Sequence, residues 1–314
     1  MSEVNMNLPV NNFQCGFVAV VGRPNTGKST LVNALVGKKV VITSHHPNTT
    51  RNSIRGIANG DRFQMILVDT PGVHKPKTLL GTRLNQMVTE NISDVDAVII
   101  CLPVDEEIGS GDKYLIAQLP EKVNTYVALT KIDKVAKPNV ANKLIEIAKL
   151  ESEVKRNFAE IVPISAKKND QVEKLKQLIT KSLPIGPALY PNDSVVDLTE
   201  EQHIADLVRE AAIEKLYEEL PHSVMVQVDE IKRRTDKPLI DIFASLYVER
   251  DSQKGIIIGP KGDKLKDIGI AARSEIEKYL NQKVFLKLQV KVAKDWQQDP
   301  KLLQKLGFTQ PVSD

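Results

Sequence analysis

Short apolar runs alternate with stretches of helical period from residue 16 to about residue 182. "FVAVVG", "FQMILVDT", "DAVIICLP", "NTYVALTKID" and "EIVPIS" are nearly continuous and rich in β-branched residues, and each precedes a segment with helical periodicity. That alternation predicts a mostly parallel sheet covered by helices on both faces. One passage departs from it. In "SIRGIANGDRFQMILVDT", Asn59-Gly60 lies between two alternating runs and predicts a tight hairpin, hence one antiparallel strand.

The pattern changes at "SLPIGPALYPNDSVVD", residues 182–197, a proline-rich, aperiodic stretch that reads as a linker. Beyond it the periods predict a helix from about Glu201 to Glu219, strands in "HSVMVQVDEIKRR" and "LIDIFASLYVER", and a short helical segment ending in the glycine loop "GIIIGPKG". A helix from Asp263 to about Leu280 and a strand in "KVFLKLQVKVA" follow. The order α-β-β-α-α-β predicts a small α+β domain with a three-stranded sheet. The expected division is 1–183 for the α/β domain, 184–200 for the linker and 201–314 for the α+β domain with a C-terminal tail.

Composition agrees with two domains. The 314 residues exceed what one core usually supports, and 41% hydrophobic with 26% charged residues excludes wholesale disorder. The net charge of +3 is small, but residues 222–294 carry about 15 Lys and Arg against about 10 Asp and Glu, so the excess of base gathers in the second domain. The start, "MSEVNMNLPVNNFQ", has neither a basic beginning nor an apolar run, and no stretch approaches the roughly 18 apolar residues of a membrane span. Cys15 and Cys101 both lie inside apolar runs and read as core residues of a cytoplasmic protein.

The candidate chemistry begins with "GRPNTGKS", which follows the strand "FVAVV" and opens the helix "KSTLVNALVG". This G-x-x-x-x-G-K-S pattern in that setting is a phosphate-binding loop made of Gly22, Arg23, Pro24, Asn25, Thr26, Gly27, Lys28 and Ser29, with Thr30 next in the helix. Its N–H groups wrap phosphates at a helix N-terminus, Lys28 meets the terminal phosphates, and the Ser29 hydroxyl takes a Mg²⁺ position. "VDTPG" ends a later strand: Asp69 can reach the Mg²⁺ through water, the Gly72 N–H can meet the γ-phosphate, and Thr70, Pro71 and Val73 complete the contact. "ALTKID" reads the base. Asp133 accepts from the N1–H and exocyclic amine of guanine, which adenine lacks, the Lys131 stem lies along the base plane, and Thr130 and Ile132 flank them. "SAK", Ser165, Ala166 and Lys167, would supply an N–H to the guanine oxygen.

Taken in order, these elements resemble the translation-factor-related class of P-loop GTPases. The resemblance implies GTP and GDP as ligands, and "HPNTTRN" as the first switch, with Thr50, or Thr49 in its place, closing on Mg²⁺. Lys28, Thr50 and Gly72 would then carry catalysis. His45 and His46 in this loop read as solvated side chains rather than metal ligands. Val73 stands where many such proteins place a water-orienting glutamine, so that route is closed; Thr130 stands where the pattern has asparagine, so weaker nucleotide binding with guanine preference retained is expected. Resemblance to K⁺-dependent relatives implies that Asn25 helps hold a K⁺; a simple turn residue is the alternative.

The second loop sits between two helical segments, with Ile268, Ala272 and Ile276 on one face of the second. In the α-β-β-α-α-β order this resembles a type II KH domain. Gly259, Pro260, Lys261 and Gly262 would press against a single-stranded RNA backbone, and Ile257 and Ile258 would pack on splayed bases. Lys232-Arg233-Arg234 either extends the basic surface or forms a solvated hairpin tip.

"GRPNTGKSTLVN", "DTPGVHKP" and "GIIIGPKG" together resemble the Era family of bacterial ribosome-assembly GTPases over nearly the whole chain. The family implies a monomer that binds the 3′ end of 16S ribosomal RNA and the 30S subunit, with some association with the cytoplasmic membrane face. GTP closure of residues 38–52 and 72–81 is expected to reposition the linker and change access to the 259–262 loop. Two rivals are an RNA-binding protein with a degenerate nucleotide domain and a P-loop kinase of a small metabolite, for which Asp133 and "SAK" would have no use.

Overall fold

The computed structural model describes residues 12–43, 54–72, 78–216 and 223–305. The segment expected to be the first switch, with His45, His46, Thr49 and Thr50, and Val73 after "DTPG", lie outside the described residues.

The first domain is an α/β sandwich. Its strands are β1 (Gln14–Val21), β2 (Ile54–Gly60), β3 (Phe63–Asp69), β4 (Ala97–Pro103), β5 (Asn124–Thr130) and β6 (Glu160–Pro163). They form one sheet in the order β2-β3-β1-β4-β5-β6. β2 pairs antiparallel with β3, and every other pairing is parallel. The helices are α1 (Lys28–Val36), α2 (Leu79–Ser93), α3 (Ser110–Ala117), α4 (Lys137–Glu153) and α5 (Val172–Thr180). Strand period 2 sends Val18 and Val20 to one core with Leu31, Leu35, Leu175 and Ile179, so α1 and α5 cover that face. Ala19 and Val21 go to the other core with Val88, Ile116 and Ile147, from α2, α3 and α4.

The hairpin forms, but its tip is Asp61-Arg62 rather than Asn59-Gly60, because Gly60 pairs with Phe63 as the last rung of the ladder. Asn59 instead ties the hairpin to a later segment. Its amide donates to the Ser194 carbonyl at 2.8 Å, and its Oδ1 accepts from Gln64.

That contact belongs to a larger one. The segment after α5 is docked, not free: Ile185 bridges to Gln14, Val196 bridges to Gly56, and Ile57 N–H donates to the Val195 carbonyl at 2.9 Å. Gln64, fully buried, accepts the N–H groups of both Leu189 and Tyr190 at 2.8 Å and donates to the Tyr190 carbonyl.

The second domain comprises α6 (Glu200–Glu214), β7 (Met225–Arg233), β8 (Leu239–Val248), α7 (Asp251–Ile258), α8 (Asp263–Leu280), β9 (Lys283–Val292) and a short α9 (Pro300–Lys305). α6 opens on a capping box in which Thr199 accepts from Gln202 N–H and Gln202 accepts from Thr199 N–H. The helix ends at Glu214, short of the expected Glu219; residues 217–222 are not described. Its sheet runs β7-β8-β9, antiparallel then parallel, and one face packs on α6 and α8 through Ile204, Val208, Ile240, Ile242, Ile268, Ala272 and Ile276. No helix among the described residues is long and apolar enough to cross a membrane.

Among the described residues, the two domains touch at two places. Trp296, wholly buried, packs with Leu80, Leu84 and Leu303, and Leu80 N–H donates to the Gln297 carbonyl at 3.0 Å. On the other side, Thr43 N–H donates to Glu210 Oε1 at 3.0 Å, and Lys39 Nζ lies 2.7 Å from Glu210 Oε2 and 3.4 Å from Glu275.

Candidate functional site

The phosphate-binding loop crosses from β1 to α1 through backbone that only certain residues tolerate. Gly27 precedes α1 with φ 96, and Asn25 adopts φ 61, a region asparagine enters more readily than most side chains. At Gly22 a Cβ would lie 2.8 Å from the Cys101 carbonyl oxygen, so a side chain there would push the loop off β4. Lys28 curls across the loop, donating to the carbonyls of Gly22 at 3.1 Å and Arg23 at 2.8 Å. Burial holds its ammonium below the usual lysine range, with Asp69 pulling the other way.

At the carboxyl ends of β1 and β3 the Mg²⁺ candidates meet. Ser29 Oγ donates to Asp69 Oδ2 at 2.8 Å, and Asp69 is fully buried. A hydroxyl and a carboxylate converging beside a loop of N–H donors fit a hard cation holding phosphate oxygens. Thr70 anchors its turn by donating to the Val20 carbonyl at 2.8 Å. Gly72 abuts the loop so closely that a Cβ would sit 2.7 Å from Pro24 N, which places its backbone beside the phosphate position.

The elements expected to read the base also come together. Lys131 takes φ 61 and turns the chain out of β5 into a short 3₁₀ turn, Ile132–Lys134. Ser165 Oγ donates to Asp133 Oδ1 at 2.6 Å, and this bond holds the carboxyl below the usual aspartate range. Ser165 thus fixes the carboxylate, a role beyond the backbone donor expected of "SAK". Thr130 reaches farther than expected: its Oγ1 donates to the Thr26 carbonyl at 2.6 Å, so a threonine here still ties β5 to the phosphate loop.

A ring of acids beside this site was missed. Arg23 Nε binds Asp112 at 2.9 Å, and its Nη2 lies 3.2 Å from Glu106. Lys131 Nζ lies 3.5 Å from Glu106 and 3.8 Å from Asp105, and Lys134 lies 2.6 Å from Asp105. Glu106 therefore links the loop cation to the base-side cation. The available signal was the acidic run "DEE" at the carboxyl end of "DAVIICLP", where ligands of open α/β sheets bind. Cys101, on the same strand, is a core thiol that burial pushes up to about 12.

In the second domain, α7 ends at Gly259, whose N–H donates to the Gly255 carbonyl. Gly259 (φ 72), Lys261 (φ 52) and Gly262 (φ 83) then form a bared turn into α8. A Cβ at Gly259 would meet Lys264 Cβ at 2.7 Å, whereas at Gly262 it would meet nothing within 4 Å, so the loop is packed behind and open in front. An open groove of about 890 Å³ beside it is lined by Lys215, Ser252, Ile256, Pro260 and Lys264, and also by Asp263 and Asp267.

One expectation needs correcting. Ile257 is fully buried in the second core and Ile258 packs against that core; the helical step leaves Ile256, 47% exposed, as the apolar groove residue. Of the two readings of the basic run, the structure agrees with the hairpin tip: Lys232-Arg233-Arg234 lies at the β7–β8 end, with Lys232 paired to Glu230, Arg233 to Glu200 and Arg234 to Asp241, each within 2.8 Å.

Comparison with known proteins places both sites in one lineage. A family model described as "50S ribosome-binding GTPase" matches residues 17–131, and a KH domain model matches residues 219–297. GTPase Era of a Nocardioides species is 54% identical over 299 residues, covering 93% of this chain and 96% of its own. GTPase Era of Mycobacterium tuberculosis is 53% identical over 304 residues, 95% of this chain and all of its own. Among solved structures, an Aquifex aeolicus Era variant bound to GDP and aluminium fluoride is 36% identical with a TM-score of 0.90, covering 95% of this chain and 100% of that one. Era in complex with MgGDPNP and nucleotides 1506–1542 of 16S ribosomal RNA matches with the same identity, TM-score and coverage. With a phosphate loop, the Asp133 turn beside it and a bared KH loop in one chain, and this identity over nearly its full length, the protein belongs to the Era family of GTPases.

Proposed function

We propose that this GTPase uses its nucleotide state to control binding of the 3′ end of 16S ribosomal RNA at the 259–262 loop, within the small ribosomal subunit. The observation that carries the proposal is the Thr43–Glu210 hydrogen bond. It ties Thr43 to α6 of the RNA-facing domain, so a nucleotide-dependent shift at Thr43 is carried into the second domain. The RNA arm rests on the relative of known structure that holds a 16S fragment, and on a loop here with the same order of elements and an open front.

In this reading Lys28 offsets charge on the terminal phosphates, Ser29, Asp69 and Thr50 hold Mg²⁺, and Gly72 donates to the γ-phosphate. The metal would supply charge neutralisation at the phosphates. Asp133 reads the Watson–Crick edge, Lys131 and Ile132 cover the base, and Ala166 and Lys167 border it. Asn25, held in a left-handed conformation, helps hold a K⁺ that supplies positive charge at the developing phosphate. On the RNA side, Gly259 to Gly262 receive the backbone, Lys264 and Lys215 line its path, and Ile256 packs against a base.

The test is GTP turnover in K⁺ and in Na⁺, with Lys28→Ala as control. We expect turnover that falls at least 100-fold in the variant and is faster in K⁺. Turnover indifferent to Lys28 would instead favour a degenerate nucleotide domain, and equal rates in the two salts would remove the K⁺.

A further inference from the structure

Thr130 closes β5 and is 2% exposed. Its Oγ1 donates to the Thr26 carbonyl at 2.6 Å, and the Leu102 carbonyl oxygen lies at 3.4 Å. A threonine hydroxyl has one proton. Both neighbours are acceptors, so that proton is committed inside the protein and the oxygen has only lone pairs left to offer.

In the guanine-site reading, a guanine whose N1–H and amine face Asp133 would turn its opposite edge, which carries N7, toward residue 130 and the phosphate loop. N7 is an acceptor. Lone pairs meeting lone pairs make no bond. An asparagine amide has two N–H groups, so one can hold the loop carbonyl while the other reaches the base.

We propose that Thr130 keeps the tie to the phosphate loop and forgoes the base, so that this protein reads guanine at Asp133 and leaves N7 without a side-chain donor from position 130. Thr130 is thereby a positioning residue for the loop and a determinant of which purine edge is recognised. The inference rests on the guanine-site reading above.

The test is calorimetric titration of the full chain with GDP and with 7-deaza-GDP, in which a C–H replaces N7, with ADP as control. The wild-type protein binds the two guanine ligands within twofold. Thr130→Asn binds 7-deaza-GDP about three- to tenfold more weakly than GDP, the worth of one net hydrogen bond. Thr130→Val, which keeps shape but leaves the Thr26 carbonyl unpaired, weakens both ligands together and leaves their ratio near one. A wild-type penalty of fivefold or more for 7-deaza-GDP overturns the inference, and the wild-type pair decides it even where a variant fails to fold. ADP binding as tightly as GDP overturns the underlying guanine reading instead.

Discussion

Ser165 shows what single residues do here. Its hydroxyl holds one oxygen of Asp133 at 2.6 Å and favours the ionised carboxylate, which is the form that accepts from guanine. The folded pKa of Asp133 is depressed, so guanine binding persists above that pKa and is lost as pH falls through it. Ser165→Ala removes the bond. We expect GDP affinity to fall about 5–30-fold at neutral pH, the worth of a charge-assisted hydrogen bond, and the acid limb of the affinity profile to move to higher pH. Titrations carried from pH 8 down to below the ordinary aspartate range check both, and an unmoved limb would contradict the role assigned to Ser165. Residues at this scale were legible where one spacing forces the chemistry, as from Gly22 to Ser29. They were illegible where the partner lies far along the chain: Arg23 and Asp112 are 89 residues apart, and no local pattern joins them. Ile257 failed differently, because three successive isoleucines on a short helix leave the buried one undecided by type.

At the scale of elements, alternation and glycine placement foretold both sheets, including the single antiparallel pairing in the first. The segment between the domains was read as linker from its prolines, yet its backbone pairs with β1 and β2. Composition reports that a stretch has no period of its own; it cannot report that an edge strand will supply one. Gln64 is the anchor, since its amide serves Leu189 and Tyr190 at once. Gln64→Ala leaves two N–H groups without their acceptor, at a cost of about 2–4 kcal/mol. We expect a lower urea midpoint and faster proteolytic nicking within residues 184–198, with GDP affinity retained. Nicking at the wild-type rate would show that the segment is held by something else.

On the scale of the whole molecule, Glu210 is the joint. Buried at the domain boundary, it takes the Thr43 N–H and the Lys39 ammonium from the first domain while standing on α6 of the second. Lys39 is held above the usual lysine range as a result: burial pulls it down, but its bonds to Glu210 and Glu275 outweigh that. Neither partner could be read as such from the sequence, because each belongs to a different domain's pattern. Glu210→Ala should leave GDP affinity and RNA affinity near wild type when measured separately, and reduce the effect of one on the other to less than twofold. Glu210→Gln keeps an acceptor for Thr43 and should retain part of the coupling. Nucleotide control of RNA binding is tested most directly by the affinity of an oligonucleotide matching the 3′ end of 16S ribosomal RNA, measured on the full chain with GDP and with a non-hydrolysable GTP analogue. We predict binding at least fivefold tighter in one state than the other, the range of an ordinary allosteric coupling. Affinities equal within twofold would contradict it, and would describe a GTPase and an RNA-binding domain that share a chain without controlling one another.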